Sequence, residues 1–232
     1  MILYDPDQAK KFFQKLPALT DDEVFILLVA ARNKYCKTLS RSHEIVARTL
    51  ITSNDPDEFI QAIEKVEAIA SVFRDSDGKK VPKESLVCYL DIDPKSVITG
   101  CYSFFETFNQ WTHDALKTEF FDKEIFRKAD EKLISEIHKH TAKKRTTLID
   151  FDNKDPEILK SIIQNIDSNI LHISETKGGY HIIVKKTRKT NEIVFKEIMP
   201  LPDVEIKSDS LTPVVGTIQG GWKVKEYILS KE

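Results

Sequence analysis

The chain has 232 residues, 41% of them hydrophobic and 31% charged, with a formal net charge of −2. These values suit a soluble globular protein with a sizeable core, and no apolar run approaches the ~18–20 residues of a membrane span. The near-neutral balance excludes a polycation, so any nucleic-acid surface must be local. Cys36, Cys88 and Cys101 are scattered and form no C-x-x-C pair, which predicts neither a zinc knuckle nor a disulfide framework. With an N-terminus that lacks the pattern of a signal peptide, they predict a cytoplasmic protein.

Residues 1–75 read as a helical region. Asp7–Leu16 carries apolar residues at Phe12, Phe13 and Leu16. Thr20 and Glu23 have the spacing of a capping box ahead of VFILLVAA. Ser42–Thr52 and Pro56–Val72 are two further amphipathic stretches. Ahead of these two stretches, Arg32, Lys34, Lys37 and Arg41 surround Tyr35. A basic segment with an aromatic can hold a nucleic-acid backbone, but a solvated loop between helices is the simpler reading. The turn at Asp75–Lys80 is the natural boundary, leaving an α+β region over 76–232.

Leu86–Ile92 predicts a strand ending in Asp91 and Asp93. Pro94 and a long helix from Lys95 to about Leu116 follow, so Asp93 suits the helix N-cap and this Asp pair is expected to be structural. The aromatics Tyr102, Phe104, Phe105, Phe108 and Trp111 on that helix fit a core face better than a stacking platform. A second helix is expected over Asp122–Thr141. His138 and His140 near its end are two apart and face different ways, so they do not share a metal. Lys139, Lys143, Lys144 and Arg145 complement the helix C-terminus and also suit a template backbone.

Thr147–Phe151 reads as a buried strand that delivers Asp150 and Asp152 on one side. A helix from Pro156, a strand over Asn169–Ser174, a Lys177-Gly178-Gly179 turn and a strand over Tyr180–Val184 follow. Two carboxylates one residue apart suit Mg²⁺ or Mn²⁺, and the glycines ahead of His181 let backbone approach a phosphate. Lys185 shares a face with His181, and Lys186, Arg188 and Lys189 lie just beyond. So many cations beside two acids suit a substrate with several phosphates. A short helix over 190–199, a PLPDVEIK strand and a strand over Trp222–Leu229 complete the chain.

The D-x-D followed by G-G-x-H, one helix and one strand later, resembles the first two motifs of the archaeo-eukaryotic primase superfamily, whose members are primases and primase-polymerases. Gly179 stands where that family often has serine. The resemblance implies an RRM-like mixed or antiparallel sheet flanked by helices. It implies Asp150 and Asp152 as catalytic metal ligands in a two-metal site, and His181, with Lys177, Gly178, Gly179 and Lys185, around the nucleotide's phosphates. A third acid is expected in PDVEIKSDSLTPVVGT, where Asp203 and Asp209 are both candidates and Asp209 is favoured by the turn after it. The implied activity is metal-dependent nucleotidyl transfer from NTPs or dNTPs on a single-stranded DNA or RNA template. Lys186, Arg188, Lys144 and Arg145 would contact nucleic acid, and a separate helicase or replication partner would be needed. A non-catalytic RRM-like nucleic-acid binder and a metal-dependent nuclease or phosphohydrolase are the rival readings. The first would want aromatics where the Asp150 strand has acids.

Overall fold

The structure, a computed structural model, describes residues 2–35, 37, 39, 43–74, 78–118, 124–207 and 210–228. The chain opens with α1 (Pro6–Gln14), whose cap residue Asp5 accepts from the Gln8 amide and whose first position is proline. The VFILLVAA run is then not a helix but a strand, β1 (Glu23–Arg32), and the next stretch is β2 (His43–Ile51). Both depart from the helical expectation for residues 1–75. The Thr20–Glu23 pair does form, with the Thr20 amide donating to the Glu23 carboxylate, but it closes a turn into a strand.

The reason lies in the packing of β1. Phe25, Leu27, Val29 and Ala31 face one apolar cluster and Val24, Ile26, Leu28 and Ala30 another. A strand covered on both faces is apolar throughout and carries no alternation to separate it from a buried helix. The other elements of this half follow expectation. In α2 (Pro56–Ser71) Phe59, Ile63, Val66 and Ala70 form the buried stripe, and Phe13 of α1 stacks on Phe59 with ring centroids 4.4 Å apart.

β3 (Leu86–Ser96) is longer than its expected strand and runs straight through Pro94. Ser96, not Asp93, caps the following α3 (Val97–Lys117) by accepting from the Thr99 amide. The single helix expected over 122–141 is instead α4 (Glu124–Arg127) and α5 (Ala129–Lys139). Then come β4 (Thr146–Phe151), α6 (Pro156–Ile166), β5 (Ile170–Glu175), β6 (Tyr180–Lys185), α7 (Arg188–Ile193) and β7 (Val204–Lys207). A wider helical turn, Val194–Ile198, extends α7. Short strands close the described chain: β8 (Leu211–Pro213), β9 (Ile218–Gln219), β10 (Trp222–Lys223) and β11 (Lys225–Glu226). The last two stand where one strand over 222–229 was expected.

The fold is α+β with antiparallel sheets. One large sheet has the order β2-β1-β3-β8 and a second β11-β5-β6-β4-β7, while β9 and β10 form a two-stranded pair of their own. Because β1 pairs with β3 along most of its length, the boundary expected near residue 75 does not divide the fold. The main apolar cluster likewise draws on residues from Ile2 to Val224.

In the five-stranded sheet the alternation of β4 and β6 separates two environments. Ile149, Phe151, Ile182 and Val184 pack under α6 and the α7 turn, whereas Leu148 and Ile183 join the cluster shared with the first sheet. Asp150 and His181 lie on this second face, one step further along. The sheets therefore close on apolar residues at one end and open on polar ones at the other. Among the described residues no helix is long and apolar enough to cross a membrane.

Candidate functional site

The opening between the sheets is a cleft of about 470 Å³. Asp150, Asp152, Gly178, His181 and Lys207 line one wall; Arg32, Lys34, Tyr89 and His138 are among the residues lining the rest. Register explains the first wall. Asp150 pairs directly with His181 on β6 and with Glu205 on β7, so these side chains share one face in one row. On the same face Asp152 lies one step on from this row and Lys207 one step back, opposite Leu148.

Asp150 is largely buried. One carboxylate oxygen lies 3.2 Å from His181 Nε2 and the other 3.2 Å from Lys207 Nζ. Burial opposes ionisation of Asp150, yet the hydrogen bond and charge of His181, with the Lys207 ammonium, outweigh it and hold the carboxyl below the ordinary aspartate range. Burial likewise opposes the charge on Lys207, and Glu205 and Asp150 overcome it to raise that group. The other ring nitrogen of His181, Nδ1, lies 3.1 Å from Thr212 Oγ1 on β8. The ring is thus engaged at both ends.

Asp152 is exposed at the mouth of the cleft, and its backbone amide donates to the Asp203 carbonyl. The Gly-Gly turn makes room for it. A side chain at Gly179 would put Cβ 1.9 Å from the Phe151 carbonyl oxygen, and one at Gly178 would put it 3.1 Å from Asp152 Oδ1. The β5–β6 hairpin can lie against the end of β4 only because Gly179 has no Cβ.

The remaining expected site residues divide. Asp203 precedes β7 at a φ of 58°, and its carboxylate accepts from Asn153 at 2.7 Å; it points to that loop and does not line the cleft. Asp209 lies outside the described residues. Among the described residues no group of three or more His, Cys, Asp and Glu side chains is gathered as a metal site. Lys177 is tied to the β9–β10 turn, donating from Nζ to the Gly220 carbonyl at 2.8 Å and lying 4.8 Å from the centre of the Tyr35 ring.

Lys185 is exposed and does not line the cleft. Arg188 pairs with Glu192 on its own helix. Arg145 is committed to Glu23 and to the Ala18 carbonyl, and Lys144 pairs with Asp93 at 2.8 Å. Lys186 lines a separate groove along β7 with Phe195 and Met199. The six basic residues expected at the phosphates or the nucleic acid, Lys177, Lys185, Lys186, Arg188, Lys144 and Arg145, therefore do not converge on the acids.

Other cations take their place. Arg32 donates to the Tyr89 hydroxyl at 2.9 Å and Lys34 lies beside it along the cleft. Both belong to the basic stretch around Tyr35, so their signal was present in the sequence. Tyr35 packs against Gly220, and burial, reinforced by nearby Asp152 and opposed by Arg32, pushes its hydroxyl up to about 12. Lys207 carried no local signal, because its role comes from pairing in register beside Asp150.

The second D-x-D is internal. Asp91 lies 2.8 Å from Lys95 Nζ and 3.2 Å from His138 Nε2. Asp93 pairs with Lys144 and accepts from Ser210 at 2.8 Å. The expectation that this pair is structural agrees with its burial, although His138, the partner of Asp91, lines the cleft.

Compared with protein-family models, with curated proteins and with solved structures, the chain finds no match.

Proposed function

We propose that this chain is a metal-dependent nucleotidyltransferase of the primase or primase-polymerase kind, built on an RRM-like core. The observation that carries the reading is the row Asp150–His181, with Asp152 one step on, opening into a cleft beneath a turn that only glycine permits. The connectivity supports it. The order β5-β6-β4-β7, with a helix after β4 and another before β7, is the β-α-β-β-α-β arrangement of RRM-like folds.

Asp150 and Asp152 present hard carboxylate oxygens on one wall, a donor set that suits Mg²⁺ or Mn²⁺. These two residues would hold the ions, and Asp209 remains the candidate third acid. When bound, the ions would stabilise charge on the oxygens entering and leaving the α-phosphate. Before that, Lys207 lowers the repulsion between the carboxylates. Arg32 and Lys34 bring positive charge to where a triphosphate would lie. His181 can meet a phosphate only by giving up one of its two ring contacts. The contact to Asp150 is the one that an ion on that carboxylate would compete for.

NTPs or dNTPs and a single-stranded DNA or RNA template would be the substrates, with a separate helicase or replication partner. The test is incubation with primed and unprimed templates, NTPs or dNTPs, and Mn²⁺. New polymer that disappears with Asp150→Asn is the expected result. Cut nucleic acid without synthesis would replace the reading with a nuclease, and binding with neither reaction would replace it with a non-catalytic module.

A further inference from the structure

Two Asp–His pairs each bring an imidazole to the cleft, and they differ in what that ring has left to offer. In Asp150–His181 both ring nitrogens are engaged, one by Asp150 and one by Thr212. In Asp91–His138 the carboxylate lies 3.2 Å from Nε2, and among the described residues nothing is hydrogen-bonded to Nδ1. Burial opposes the charge on Asp91, but the His138 hydrogen bond and Lys95 outweigh it and hold the group below the ordinary aspartate range. An ionised carboxylate can only accept, so Nε2 carries the hydrogen and the lone pair of the neutral ring is on Nδ1. That side chain is 23% exposed and lines the cleft that holds Asp150 and Asp152.

The ring is also firmly held. His138 is the penultimate residue of α5, and the chain just after it is stitched to β3. The Ser96 amide donates to the His140 carbonyl at 2.9 Å, and the Ala142 amide to the Pro94 carbonyl at 2.8 Å. Lys95 Nζ donates to Thr141 at 3.0 Å. On the neighbouring turn Ile137 packs so closely on Gly100 of α3 that a Cβ there would sit 2.5 Å from the Ile137 Cα. Glu136 is clamped by Lys132 and Lys139 at 2.5 and 2.8 Å. A buried aspartate fixing the tautomer and direction of an imidazole is the arrangement that makes histidine a proton acceptor.

We propose that His138, anchored by Asp91, is a catalytic residue of this cleft: it takes the proton from the hydroxyl that attacks the nucleotide's α-phosphorus. The proposal rests on the nucleotidyl-transfer reading above. In the step, the hydroxyl oxygen forms a bond to the α-phosphorus as its proton passes to His138 Nδ1. The bond from that phosphorus to the bridging oxygen breaks, and its electron pair leaves with pyrophosphate. The imidazolium is stabilised by Asp91 and returns its proton to water. The charged groups around the ring are Asp91, with Lys95 behind it, and, elsewhere on the cleft lining, Arg32, Lys34, Asp150, Asp152 and Lys207, with the His181 imidazole.

The experiment compares the wild type with His138→Gln and His138→Ala. It reads the single-turnover rate of nucleotide addition to a primed template with Mn²⁺, the nucleotide Kd under the same conditions, and the melting temperature. Both variants should add nucleotide at least about 100-fold more slowly, with Kd within about threefold of wild type. Rates within about threefold of wild type, or a loss matched by weaker nucleotide binding, overturn the proton-acceptor role and leave the nucleotidyl reading intact. A wild-type protein that adds no nucleotide removes that reading, and this role with it.

Discussion

Two strands of this protein carry the pattern Asp-x-Asp, and the protein treats them in opposite ways. On β3, Asp91 and Asp93 are 3% and 1% exposed, in a strand flanked by β1 and β8. Each has a cation built for it, Lys95 for Asp91 and Lys144 for Asp93. On β4, Asp150 is paired but Asp152 stands exposed at the strand's end, under a turn cleared of side chains. Spacing makes both pairs project to one side of their strand. What separates them is the supply of counter-charge and the way out to solvent. Carboxylates neutralised within the fold hold the fold, and carboxylates left facing a cleft are free to bind something else.

The largest effect expected from this contrast is on activity. Asp150→Asn and Asp152→Asn should each lower nucleotide incorporation by at least about 10³-fold, or about 4 kcal/mol of barrier. Asp152→Asn should melt close to wild type, whereas Asp150→Asn also gives up the buried carboxylate's charge pairing with His181 and Lys207 and should melt somewhat lower. Incorporation that survives in both variants would break the comparison at its functional end.

The β3 pair should answer through stability. Asp91→Ala leaves Lys95, whose side chain is 6% exposed, as an unpaired buried cation, at a cost of about 3–5 kcal/mol. In a chain of this size that lowers Tm by roughly 10 °C. A melting curve unchanged in Asp91→Ala would show that the buried pairs are not what holds β3 to α5.

A third buried ionisable group, with no cation or carboxylate at hydrogen-bond distance, sharpens the contrast at smaller scale. His172 on β5 is buried edge-on to Phe12, centroids 5.0 Å apart, and among the described residues neither ring nitrogen has a hydrogen-bond partner, the Glu226 carboxylate lying 4.0 Å from Nδ1. Burial, with the charge of Lys15, pushes its pKa down to about 4, against a lesser opposing effect of Glu226. Between pH 6.5 and about 4 the unfolded chain binds more protons at this site than the folded one. Its contribution is therefore complete above pH 6.5 and is lost as the pH falls through that window, to a total of about 3 kcal/mol. Both Asp91 and Asp150 have lowered pKa values, so their contributions fail only at lower pH. Urea unfolding of His172→Leu at pH 7 and pH 4.5 should show a smaller loss on acidification than wild type. An identical loss in both proteins would assign the acid sensitivity elsewhere.

The motif-bearing part of the chain was legible because its signals are local. The apolar run of β4, the helix begun at Pro156, the glycine turn and the strand opening at His181 lie within forty consecutive residues, and the structure places each near its expected limits. Periodicity then put Asp150 and Asp152 on one face without knowledge of the neighbouring strands. The segment before it was misjudged for an equally physical reason. An unbroken apolar run satisfies a buried helix and a doubly covered strand alike, and only pairing with β2 and β3 decides between them. The composition of the cleft was likewise beyond any single stretch. Lys207 reaches Asp150 by strand register, His138 reaches Asp91 across 47 residues of sequence, and Thr212 reaches His181 from the other sheet. The basic residues that follow β6 were expected at the site because they are near it in sequence; three-dimensional packing leaves Lys186 on a separate groove and Arg188 paired with Glu192, and brings Arg32 and Lys34 in their place. The sequence by itself determined which backbone could be a strand end carrying two acids. Which charges meet those acids was decided by the tertiary structure, because charge complementarity acts across space and leaves no period along the chain.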